Sequence, residues 1–142
     1  LFLVEKCASL GKNGFFLMIE SAIIDGYGHN NDSEGMKLEM YDFNNTLMLL
    51  IDYVHNHPNT LLVVTADHET GGTGIAYKHH EVGKKEKVSL NFSTKGHTGT
   101  VVPVFAYGPG AECFAGIMKN TDIPKKLESL MKNDFKTQRS KL

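Results

Sequence analysis

The run Thr60-Leu-Leu-Val-Val-Thr65 constrains the fold of this chain more than any other feature. β-branched and apolar side chains at six consecutive positions suit a strand covered on both faces. Such a strand needs neighbours in a sheet and helices against it. Gly14-Phe-Phe-Leu-Met-Ile-Glu20 is a second apolar run, read as a buried strand that ends in a carboxylate. Val101-Val-Pro-Val-Phe-Ala-Tyr107 is a third, with Pro103 marking an edge or the strand's beginning.

Helical periodicity fills the intervals. Residues 1–10 carry Leu3, Val4, Cys7 and Leu10 at helical spacing, with Gly11 as a stop. From Ser33, the positions Met36, Met40, Phe43, Leu47, Leu50 and Val54 step by three or four, and His57-Pro58-Asn59 closes that helix. Asp122 is expected to cap a last helix, with Pro124 in its first turn and Leu127, Leu130 and Met131 facing inward. Gly108-Pro-Gly-Ala reads as a turn, and residues 73–95, with Lys84, Lys85 and Lys87 before Leu90 and Phe92, read as a surface hairpin. This order of elements predicts a layered α/β sheet.

A chain of 142 residues with 41% hydrophobic and 22% charged residues is consistent with one compact domain spanning 1–142, and no linker divides it. Fifteen basic against sixteen acidic residues give no reason to expect a nucleic-acid or anionic-membrane partner. No run approaches the ~20 apolar residues of a membrane helix. Residues 131–142 are polar and basic and read as a frayed tail. Cys7 and Cys113 are compatible with two buried thiols or with one disulfide. The chain begins within a helical pattern rather than with methionine, so it reads as a piece of something longer.

The chemistry concentrates at the ends of the runs. Glu20 closes the first strand, and Asp67-His68 follows the second. Asp25 and His29 are four residues apart, so one helical turn points both at the same place. His97 lies in Gly96-His-Thr-Gly99, just before the third strand. Carboxylate oxygen and imidazole nitrogen both suit zinc, and three protein ligands with one open position mark a catalytic site. Two such ions can stabilise the attacking and leaving oxygens of a phosphoryl transfer.

At these residues the sequence resembles a known family. Gly14-Phe-Phe-Leu-Met-Ile-Glu20 with Ile24-Asp25 and His29, then Thr65-Ala-Asp-His-Glu-Thr-Gly-Gly72, then Gly96-His-Thr-Gly99 with Val102-Pro-Val-Phe-Ala-Tyr-Gly108 are similar to the metal-binding blocks of the alkaline phosphatases, in family order. The resemblance implies part of that superfamily's α/β/α fold. It implies two zinc ions and one magnesium: Asp25, His29 and His97 on the first zinc, Asp67 and His68 on the second, and Glu20 on the magnesium. It further implies phosphate monoesters as substrate, inorganic phosphate as product, a homodimer and a periplasmic or secreted location. In the family mechanism a serine is phosphorylated, and zinc-bound hydroxide hydrolyses the phosphoserine.

No Asp-Ser-Ala motif for that serine occurs here, and Arg139, the only arginine, lies in the tail. The family's early aspartate, its magnesium-binding hydroxyl and its substrate-binding arginine are likewise absent. The chain is therefore expected to be the C-terminal portion of an alkaline phosphatase domain, inactive alone and completed by the remainder of the parent chain. The competing readings are a non-catalytic metal-binding module, and a phosphodiesterase or phosphoglycerate mutase of the same superfamily. His55, His57, His79 and His80 read as ordinary polar residues, Glu69 and Thr70 as loop-shaping residues, and Gly71, Gly72, Gly96 and Gly99 as conformational.

Overall fold

The computed structural model describes residues 2–11, 14–76 and 89–139, with 133–139 as backbone only. Its helices and strands divide into two compact units. One comprises Leu1–Ile19, Met48–Thr65 and Val104–Leu142; the other comprises Glu20–Leu47 and Ala66–Pro103. Both are assembled from separated stretches and the division falls inside a helix, so no change in composition marks it.

In the first unit, helix α1 (Phe2–Leu10) ends where the N–H of Gly11 reaches the Cys7 carbonyl at 3.0 Å. Strand β1 (Leu62–Thr65) pairs antiparallel with β6 (Val104–Tyr107), from Leu62 opposite Tyr107 to Thr65 opposite Val104. β6 begins immediately after Pro103, where the missing N–H costs the ladder nothing. Gly108 then turns the chain at φ 114°, and a Cβ there would collide with the Thr60 carbonyl, so the expected turn depends on glycine. A 3-10 turn (Ala111–Phe114) buries Phe114, which is 4% exposed. Helix α4 (Asp122–Arg139) lays Leu130 against Gly110. Helix α3 (Ser33–Asn56) enters this unit with its C-terminal part, where Tyr53 and Val54 are buried. His57 closes it as expected: its N–H reaches the Val54 carbonyl at 3.1 Å, and its ring stacks on Tyr53 at 3.9 Å.

Four expectations are corrected here. Gly14–Glu20 is not a buried strand: apart from a bridge at Gly14 it joins no ladder among the described residues, and Phe16 and Met18 are 63% and 78% exposed. An apolar run specifies a wish for burial, but strand structure also needs a neighbour to hydrogen-bond. Asp122 is the first helical residue rather than the cap, and its carboxylate takes Lys125 Nζ at 2.9 Å. α4 continues to Arg139, so helical backbone extends into the stretch read as a frayed tail. Both cysteines are free thiols, Cys7 half-buried and Cys113 exposed, so neither the disulfide nor the pair of buried thiols is formed.

In the second unit, helix α2 (Ile23–Asn30) stops at Asn31, which takes a left-handed φ of 55°. The N–H groups of Asn31 and Asp32 return to the carbonyls of Gly28 and Tyr27, satisfying the end of the helix. Asp32 Oδ1 then accepts the N–H groups of Glu34 and Gly35 at 3.1 and 3.0 Å and starts α3. β2 (Glu69–Thr70) pairs with β5 (His97–Thr98), and β3 (Gly74–Ala76) pairs with β4 (Ser89–Asn91), both antiparallel. The ends of the hairpin expected over 73–95 are therefore present, with Leu90 opposite Ile75; its lysine-rich turn, with His79 and His80, lies outside the described residues. Among the described residues no helix is long and apolar enough to cross a membrane.

Candidate metal centre

The helical turn predicted from the four-residue spacing is formed. Asp25 and His29 share one face of α2, with His29 Nε2 3.4 Å from Asp25 Oδ2. The β2–β5 ladder sets Thr70 opposite His97 and Glu69 opposite Thr98, which brings the third sequence block to the second. Glu69 braces this arrangement from behind. Its carboxylate accepts the N–H of Thr73 at 2.7 Å, the N–H of Gly72 at 3.2 Å and the Thr98 hydroxyl. The Thr98 hydroxyl first, and then the Thr73 N–H, hold the Glu69 carboxyl below its ordinary range. Glu69 shapes the loop, as the sequence predicts. Gly71 and Gly72 take φ values of 87° and 57°, conformations that glycine adopts without strain. Gly96 and Gly99 do not, and a Cβ at either has room, so their expected conformational role is not borne out.

At the centre, His97 Nε2 lies 3.2 Å from His29 Nε2 and 3.6 Å from Asp25 Oδ1. The His68 ring stacks on His97 with centroids 3.5 Å apart. Asp25, His68 and His97 each offer a ligand atom, and these atoms lie within 4.8 Å of one another. Asp67 lies beside them, its Oδ2 3.2 Å from His68 Nε2, with a side chain 85% exposed. Glu20 is exposed and stands outside this group. Five of the six residues singled out from sequence thus come together.

The protonation pattern follows from the partners. The Lys95 carbonyl, 2.6 Å from His29 Nδ1, can only accept, so Nδ1 carries a proton and the lone pair of the neutral ring is on Nε2. That lone pair faces His97 Nε2 and a carboxylate. The Thr70 hydroxyl holds the Asp25 carboxyl below its ordinary range. Partial burial pushes the other way, and the imidazoles of His29, His97 and His68 add to the lowering. Acceptors converging in this manner call for a cation. Tetrahedral zinc with bonds near 2.05 Å spaces its ligand atoms by about 3.4 Å. The closest pairs are 3.2 Å between the two Nε2 atoms of His29 and His97, 3.4 Å from His29 Nε2 to Asp25 Oδ2 and 3.6 Å from His97 Nε2 to Asp25 Oδ1, so both oxygens of Asp25 take part. The donor set fits.

Comparison with known proteins decides the family. The alkaline phosphatase family model matches residues 5–88 and 75–133. This chain belongs to the alkaline phosphatase family. It is 30% identical over 192 residues to Alkaline phosphatase 3 of Bacillus subtilis (strain 168), a match covering 88% of the chain and 42% of that protein. It is 32% identical to the Streptomycin-6-phosphate phosphatase of Streptomyces griseus, over 78% of the chain and 28% of that protein. Among solved structures, the alkaline phosphatase from the Antarctic bacterium TAB5 superposes with a TM-score of 0.76 at 39% identity, covering 85% of this chain and 36% of that one. The cold-active alkaline phosphatase of Shewanella sp. gives 0.75 at 28% identity, over 87% and 47%. The α/β fold expected from the sequence is therefore that of the alkaline phosphatases, and this chain spans less than half the length of these relatives.

Thr70 does more in this site than shape a loop. Only 9% exposed, it donates its hydroxyl proton to Asp25 Oδ1 at 2.5 Å and lies 3.2 Å from His68 Nδ1. A threonine has no strong ligand chemistry of its own, so it carries no motif signal. The available hint was alternation, since in extended backbone residue 70 faces the same side as residue 68. His55 and His57 have the ordinary roles expected of them, at the end of α3 and against Tyr53.

Proposed function

We propose that this chain supplies the metal-ligating part of a phosphate monoester hydrolase, as its family membership implies. The observation that carries the reading is the convergence of Asp25, His29 and His97, whose closest ligand-atom pairs, taken over both oxygens of Asp25, lie 3.2 to 3.6 Å apart, near the spacing of about 3.4 Å around a tetrahedral zinc ion. Asp25, His29 and His97 would hold the first zinc, Asp67 and His68 would contribute to the second, and Glu20 to a magnesium. Bound zinc supplies Lewis acidity, lowering the pKa of a water toward about 7 and favouring negative charge on phosphate oxygens.

The chain's own residues prepare that centre. The Lys95 carbonyl keeps the His29 proton on Nδ1 and leaves Nε2 bare. The Thr70 hydroxyl orients the Asp25 carboxylate and favours its ionised form. Glu69 gathers Gly72, Thr73 and Thr98 and so fixes the loop that carries His68 and His97. Among the serines, Ser93 is occupied with the Gly72 carbonyl at 3.3 Å and Ser9 with the Lys6 carbonyl at 2.9 Å. The nucleophile is proposed to come from sequence outside this chain, and the active enzyme to form with that remaining part outside the cytoplasm.

The test is turnover of a chromogenic phosphate monoester, with a diester as comparison. The 142-residue chain with zinc and magnesium should be nearly inactive, and a longer polypeptide containing it should cleave the monoester. A longer polypeptide that cleaves only the diester, or an isolated chain with full monoester turnover, would overturn the proposal.

A further inference from the structure

We infer that Thr70 is a positioning residue of the metal centre, tying Asp25 of one ligand block to His68 of the other and fixing which His68 nitrogen faces the ion. This inference rests on the metal-centre reading above.

Hydrogen-bonding capacity fixes the role of each atom. A threonine hydroxyl has one proton and two lone pairs. Thr70 spends its proton on Asp25 Oδ1, which as a carboxylate can only accept. Its contact with His68 Nδ1 must therefore be one in which Nδ1–H donates to Thr70 Oγ1. With that proton on Nδ1, the lone pair of the neutral His68 ring is on Nε2, on the side where Asp67 Oδ2 lies 3.2 Å away. One hydroxyl thus orients a carboxylate from α2, 45 positions before it in sequence, and an imidazole from the loop after β1, two positions before it.

The hydroxyl is itself held in place. Thr70 is the buried polar side chain among the described residues, and its methyl lies where α2 approaches β2 at Gly28. A Cβ built on Gly28 would sit 2.9 Å from Thr70 Cγ2 and 3.0 Å from its Cβ, so the glycine is what admits the threonine. β-branching restricts χ1 further, and pairing with His97 fixes the backbone. A hydroxyl with so little freedom is suited to orienting ligands, the role that outer partners have in metal sites generally.

The experiment measures zinc affinity of the full 142-residue chain by chelator competition, for the parent, Thr70→Val, Thr70→Ser and Asp25→Ala. Valine keeps the branched shape and removes the hydroxyl; serine keeps the hydroxyl. Thr70→Val should bind zinc about 10–100-fold more weakly, Thr70→Ser should stay nearer the parent, and nitrogen-15 NMR of the zinc-loaded parent should show the His68 proton on Nδ1. Parent-like affinity in folded Thr70→Val, with Asp25→Ala impaired, would overturn this inference and leave the metal-centre reading standing. A parent that takes up no zinc would overturn both. Should Thr70→Val fail to fold, the parent decides: a His68 proton on Nε2 in the zinc-loaded chain refutes the role of Thr70.

Discussion

The Nε2 atoms of His29 and His97 lie 3.2 Å apart although 68 residues separate them in the chain. His29 has already committed its Nδ1 proton to the Lys95 carbonyl, so the two rings and the Asp25 carboxylate converge on a point with few protons to share. A divalent cation resolves that arrangement. Zinc should therefore raise the melting temperature of the chain, and a chelator should reverse the rise. At a free concentration near 100 times Kd the stabilisation is about 2.7 kcal/mol. His97→Ala and Asp25→Ala should each abolish most of it, and a zinc-dependent shift that survives in both variants would rule out this centre.

Two glycines of α2 should respond oppositely to the same change. Gly28→Ala places a methyl 2.9 Å from Thr70 Cγ2 and 3.2 Å from the Thr70 carbonyl, so helix and strand must part. A destabilisation of about 1–3 kcal/mol is expected in urea unfolding. Gly26→Ala meets nothing within 4 Å, and alanine favours a helix interior by about 1 kcal/mol. The sign of the difference between the variants is the test.

Acid should loosen the loop that Glu69 braces. Its carboxyl is held below its ordinary range, chiefly by the Thr98 hydroxyl and then by the Thr73 N–H. A group whose pKa is depressed by folding stabilises the fold above its unfolded pKa, near 4.3 for glutamate, and loses that contribution as pH falls through the lower folded value. Stability measured by urea midpoint should therefore fall on acidification below about pH 4.5. Glu69→Gln should be less stable than the parent at neutral pH and show a shallower acid decline; parallel profiles would count against the brace.

Phe114 tests the core. It is 4% exposed in the 3-10 turn that precedes α4, and its ring has no polar role. Phe114→Ala should cost about 3–5 kcal/mol by cavity formation, whereas Ile117→Ala, at a fully exposed position, should be close to neutral. Urea denaturation of the two variants makes the comparison.

Residues 62–65 and 104–107 were legible as strands because their side chains demand cover, and α3 because its apolar positions repeat at the helical period. That Asp25, His29, Asp67, His68 and His97 lie near one another was legible because few residue types suit a metal and the motifs give their spacing. Gly14–Glu20 misled because apolar content carries no information about a strand's partner, and in the described residues it has none beyond the bridge at Gly14.

The sequence by itself determined the family, the residue types that gather at the candidate centre and the local element that aligns Asp25 with His29, since those depend on residue identity and short spacing. Only the tertiary structure decided that Thr70 pairs across to His97, that its hydroxyl reaches Asp25 45 positions away, and that Lys95 directs the His29 proton. Those relationships depend on ladder register and on the close approach of α2 at Gly28. Long-range geometry of that kind is written in no local pattern of the chain.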